Sequence, residues 1–147
     1  MQAIVVERPS TFDRVDHVKE AVGEEVLLGD DQLWILGDQL VVDVDDGDDK
    51  VTVPKGFTTD GASIPKIAQW MTGWTPWDEP QRWAAITHDW LYTQRGVGKL
   101  YADRVFRSVL ESEGAPAFKR NVMFIAVVIG GWPAYFTDQR TGPSVWV

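Results

Sequence analysis

His88 and Asp89 are adjacent, Tyr92 lies four residues after His88, and Asp103 lies fifteen after it. On a helix His88 and Tyr92 share one face. A carboxylate that holds one imidazole nitrogen fixes the tautomer and leaves the other nitrogen as a general base for water, which a hydrolase needs. With Asp103 in that role, Asp89 points elsewhere on the helix and its oxygens can hold a divalent cation. The same four residues also suit a buried polar network that pins two helices and a loop together. Solvent access separates the two: a base must show one nitrogen to water, and a fully buried ring speaks against catalysis.

Two helices have to position these groups. Asp78-Glu79-Pro80 precedes a helix from about Gln81 to Thr93, with the acidic residues and proline that helix starts favour. The link Gln94-Arg95-Gly96-Val97-Gly98 leads into a helix from Lys99 to about Glu113, closed by Gly114. At a rise of ~1.5 Å per residue, His88 sits ~9 Å before the turn and Asp103 ~8 Å after it. Antiparallel packing therefore puts the two at one level, within reach of a hydrogen bond. A short helix from about Pro65 to Met71 and another from Pro116 to Gly130 complete a helical second half.

The first third is strand-like. The N-terminus, Met1 to Arg8 with its short apolar run, reads as a strand, followed by Gln32 to Leu36, Leu40 to Val44 and Lys50 to Pro54. The expectation is an α+β chain, a small antiparallel N-terminal sheet followed by a bundle of three to four helices. It forms a single domain over 1–147: a β region to 52, a core over 53–131, and a tail over 132–147, extended from Thr137. The Asp-Gly step in Asp45-Asp46-Gly47-Asp48-Asp49 suits a tight hairpin turn. Its acidic residues lack the alternate oxygen ligands, sixth-position Gly and twelfth-position Glu of a helix-loop-helix calcium site, so the run reads as a solvated tip.

Composition narrows the partners. A net charge of −8 over 147 residues argues against a surface built to neutralise nucleic-acid phosphates. The absence of cysteine removes disulfides, thiolate catalysis and thiolate zinc sites. No basic start with a long apolar run marks a signal peptide. The uncharged stretch from Asn121 to Phe136 falls short of the ~20 residues of a bilayer span and is broken by Gly130, Gly131 and Pro133, so a buried core helix in a soluble chain is expected.

Three motifs carry a resemblance. They are Val53-Pro54-Lys55-Gly56-Phe57-Thr58-Thr59-Asp60-Gly61-Ala62-Ser63-Ile64-Pro65, then Ala84-Ala85 with His88-Asp89-Trp90-Leu91-Tyr92, then Ala102-Asp103-Arg104-Val105-Phe106. From Val53 to Gly131 the chain resembles the phage and prophage family of domain of unknown function 1353. That resemblance implies phage provenance, with the virion or the host cytoplasm as location and other virion proteins as partners, and it carries no activity. A second, local resemblance is to the active-site helices of calcium-dependent secreted phospholipase A2. It implies His88 as the base, Asp103 and Tyr92 as its orienting groups, Asp89 as a Ca2+ ligand and host envelope lipid as substrate. The glycine-rich metal loop of that family is absent. Thr59-Asp60-Gly61-Ala62-Ser63 stands in front of the helix instead, where Asp60 either supplies a carboxylate to the metal or forms a local turn with Ser63. Trp70, Trp74, Trp77, Trp83 and Trp90 cluster around this region, suited to a lipid interface or sugar platform, although core packing and a protein interface are the commoner uses of such rings. Two functions follow as expectations: a metal-assisted hydrolase acting at the host envelope, or a non-catalytic virion or tail component whose His/Asp network is structural.

Overall fold

The structure is a computed structural model that describes residues 1–15, 33–59, 65–74, 78, 81–94, 96–133 and 135–136. Six strands precede four helices: β1 (Ala3–Glu7), β2 (Phe12–Val15), β3 (Leu33–Leu36), β4 (Leu40–Val44), β5 (Asp49–Val53), β6 (Thr58–Thr59), α1 (Lys66–Thr72), α2 (Gln81–Thr93), α3 (Lys99–Ser112) and α4 (Ala117–Gly130). The chain is α+β, as its sequence pattern predicts. The strands form two antiparallel sheets of three, in the orders β1-β4-β5 and β2-β3-β6, where one small sheet was expected. The tail from Thr137, Gln32, and residues 60–64, 75–77 and 79–80 between β6 and α2 lie outside the described residues.

β4 is central because its sequence is apolar on both faces. Leu40, Val41, Val42 and Val44 are all buried, so residues of both pleat directions find cover. Val42 is paired with Val5 on one side and Val51 on the other. The turn that follows is wider than the tight hairpin expected. Asp45, Asp46 and Gly47 all take positive φ (52°, 57° and 90°), and residues 45–48 are looped out beyond the Val44–Asp49 pair. Aspartate tolerates this region better than most side chains, and Asp45 Oδ1 also ties the turn to the N-terminus by accepting from the Gln2 amide at 2.9 Å. The acidic tip is exposed throughout, as expected.

α2 is the most enclosed element, with every residue from Trp83 to Tyr92 buried. It packs on α3 and against β4 and β5, while β1 packs on α3. α1 stops at Gly73 in the left-handed conformation, φ 73°, whose amide bonds the Gln69 carbonyl at 2.9 Å. α3 stops similarly: Gly114 has φ 89°, and the Ala115 amide returns to the Leu110 carbonyl at 2.9 Å. Both stops use glycine where a Cβ would strain the chain. α4 corrects an expectation. It is a core helix along one stripe only, burying Met123 and Val127, while Ile125 and Ile129 are 56% and 73% exposed. The reason is that α4 packs on α3 and α1, and no described element covers its remaining face. No helix among the described residues is long and apolar enough to cross a membrane.

Leu40 reports on the core beneath the sheet. Leu40→Ala removes a fully buried side chain and is expected to lower the unfolding free energy by about 3 kcal/mol, read as a lower urea midpoint at unchanged slope.

Candidate functional site

α2 and α3 form an antiparallel hairpin through residues 94–98, where Gly96 takes φ 85°. The hairpin brings the predicted groups together. His88 Nε2 lies 2.7 Å from Asp103 Oδ1, and the Tyr92 hydroxyl donates to the same oxygen at 2.7 Å. The other carboxylate oxygen, Oδ2, accepts from Lys99 Nζ at 2.6 Å. Lys99 also donates to the Val127 and Val128 carbonyls at 2.7 and 3.0 Å, near the C-terminal end of α4, where a helix has spare acceptors and favours a cation.

The cluster is sealed. His88 and Tyr92 have 0% of their surface exposed and Asp103 1%. Burial pulls the His88 pKa below its usual value, outweighing the opposite pull of Asp103, so the ring is neutral in the fold. Burial by itself would raise the Asp103 pKa. The hydrogen bonds from His88 and Lys99, with that from Tyr92, outweigh it and hold the carboxyl below the usual range. An ionised Asp103 can only accept, so the His88 proton belongs on Nε2, and the buried charges are those of Lys99 and Asp103.

Asp89 is not part of this cluster. It accepts from the Thr59 hydroxyl, both residues being buried, and thereby ties β6 to α2. Asp60 lies outside the described residues. Among the described residues, no group of three or more His, Asp or Glu side chains comes together to hold a metal ion. Of the tryptophans, Trp83 and Trp90 belong to the core, Trp74 is half-buried, Trp70 is 80% exposed and Trp77 lies outside the described residues.

Lys99 was missed from the sequence. Its signal was the spacing to Asp103, four residues on α3, which places an ammonium beside a carboxylate on one helix face. Gly131 was also missed. A Cβ there would stand 2.6 Å from the Tyr92 hydroxyl and 3.4 Å from Lys99 Nζ, so glycine lets the chain after α4 close over the network. That closure continues with Trp132, whose ring faces Lys99 Nζ at 4.9 Å, and Tyr135, which packs on Tyr92 and donates to the Val97 carbonyl at 2.7 Å.

Fold and site together define an α+β protein whose principal polar cluster is locked inside a helical hairpin. The chain matches the family described as Protein of unknown function (DUF1353) over residues 34–127, well over half its length, and belongs to that family. No curated protein and no solved structure matches it.

Removing one partner of a buried ion pair strands the other. Asp103→Asn leaves the Lys99 ammonium without a counter-charge and is expected to cost 3–5 kcal/mol, roughly, in chemical denaturation. The pH dependence follows from the two depressed pKa values. The His88 contribution is complete above its unfolded pKa of about 6.5 and falls away as pH drops below it. The Asp103 contribution is complete above about 3.9 and is lost as pH falls through its lower folded value. Unfolding free energy measured against pH should therefore decline in two stages, and His88→Gln should flatten the first.

Proposed function

We propose that this chain acts by binding, as a non-catalytic component of a phage particle such as its tail, and that the His88/Asp103/Tyr92/Lys99 network is structural. One observation carries this reading: the His88 ring has no exposed surface. A general base has to reach water or substrate directly or through one water, and a neutral imidazole packed between Tyr92 and Phe106, with centroids at 4.1 and 5.1 Å, is enclosed instead. The network's bonds are spent on joining α2, α3 and the end of α4. The phage setting, with other virion proteins as partners and the virion or host cytoplasm as location, comes from the motif resemblance.

A second reading is favoured by one feature of the geometry. Asp103 Oδ1 receives both His88 and Tyr92 at 2.7 Å, the orienting arrangement that the phospholipase resemblance implies. Under it His88 is the base, Asp89 and Asp60 hold Ca2+, and the substrate is an envelope phospholipid.

One experiment separates the two. Purified protein is incubated with phospholipid vesicles in calcium or chelator, and fatty-acid release and melting temperature are followed. The binding reading expects release no greater than buffer and no calcium-dependent rise in melting temperature. Release by the wild type that disappears in chelator and in His88→Gln would replace it with the hydrolase.

A further inference from the structure

The open face of α4 continues across two clefts. On one side, α1 and α4 enclose a groove of about 340 Å³ with almost wholly apolar walls, including Ile67, Met71, Val122, Ile125 and Ile129. On the other side, α3 and α4 border a cleft of about 590 Å³ lined by Arg104, Arg107, Ser108, Asn121 and Phe124. Ile125 lines both, so a cationic cleft and an apolar groove share one wall. Trp70, Phe118 and Trp132 are exposed on the same two helices or just beyond α4.

Charge distinguishes this face from the rest of the chain. From Gly114 to Phe136 the charged residues are Lys119 and Arg120, and α1 carries only Lys66, so neither segment holds an acid. In a protein of net charge −8 that is a local reversal of sign. Among the described residues, Arg107 has an ion-pair contact with Glu111, whose Oε2 stands 3.9 Å away, a loose and exposed contact. Arg107 also lies over the Phe124 ring at 5.8 Å, while Arg104 is exposed with no described ion-pair partner.

We propose that the α1–α4 groove and the Arg104–Arg107 cleft, joined across Ile125, form a docking face for a bilayer surface bearing anionic phospholipid. Guanidinium groups pair with phosphate in fixed, bidentate geometry. Exposed Ile, Trp and Phe beside cationic residues suit the boundary between headgroups and acyl chains, where aromatic rings settle and each basic residue adds electrostatic attraction. A second copy of the chain is a poorer occupant, because an isologous contact would set the same cations against one another. The face is remote in role from His88 and depends on neither reading of the buried network.

The test is co-sedimentation of the full chain with phosphatidylcholine vesicles, with and without phosphatidylglycerol. Binding to the anionic vesicles alone, weakened by salt, is the expected result. Trp70→Ser and Ile129→Asn, at positions 80% and 73% exposed, should abolish it with an unchanged melting temperature. The double variant Arg104→Gln/Arg107→Gln should lower affinity about thirty-fold. Equal binding to both vesicle types, or binding to neither, overturns the proposal. So does concentration-dependent self-association that Ile129→Asn removes, which would assign the face to a second copy.

Discussion

The Asp103 carboxylate is the constraint on which the helical half depends. A buried carboxylate has to be satisfied at both oxygens, and here each donor comes with a structural obligation. His88 and Tyr92 fix how far α2 is offset along α3, because a slip of one residue would turn both away from Oδ1. Lys99 supplies the opposite charge and, with its remaining hydrogens, holds the end of α4. Gly131 has to lack a side chain for the following turn to close. A single ionised group thus sets the helical register, a helix terminus and a glycine.

Such a network gives less net stability than its bond count suggests. Desolvating Lys99 and Asp103 offsets most of their attraction, which is why an apolar replacement of a whole buried pair can be neutral while loss of one member is costly. What the cluster provides is discrimination between arrangements: α2 is buried on nearly every face, and hydrophobic contact alone would hold it at several rotations. The same enclosure that makes the cluster decisive for packing separates it from water, while the apolar outer faces of α1 and α4 stay exposed.

How much of this was legible depended on whether a feature is local. The helix bounds were readable where Pro and Gly punctuate them: Pro116 before α4 and Gly114 after α3. The meeting of His88 with Asp103 was readable because a short link and a fixed rise per residue leave one antiparallel level for them. The division into two sheets was not, since β1 pairs with β4, and β3 with the two-residue β6, through contacts distant in sequence. Nor does a helix's apolar run state whether a partner element covers both its sides. Asn121 to Phe136 promised a buried core helix, and α4 keeps that promise on the Met123–Val127 stripe alone. The enclosure of the His88 ring likewise depends on Phe106 and on packing around α2 that spacing cannot report.

Net charge is the other quantity whose meaning changes once the fold is known. A value of −8 averages over segments of opposite sign: residues 43–49 hold five aspartates and no base, while 114–136 hold two bases and no acid. Exclusion of a phosphate-bearing partner by whole-chain charge is therefore weaker than exclusion by the face itself. That face does discriminate. Its Arg104 and Arg107 line a cleft that meets the apolar groove of Ile67 and Ile129 at Ile125, so full contact requires a partner that offers anionic groups beside aliphatic surface. A nucleic acid offers the first without the second, and its bases prefer flat aromatic platforms to branched aliphatic walls. An anionic bilayer surface offers both, at the depth where exposed Trp and Phe side chains settle.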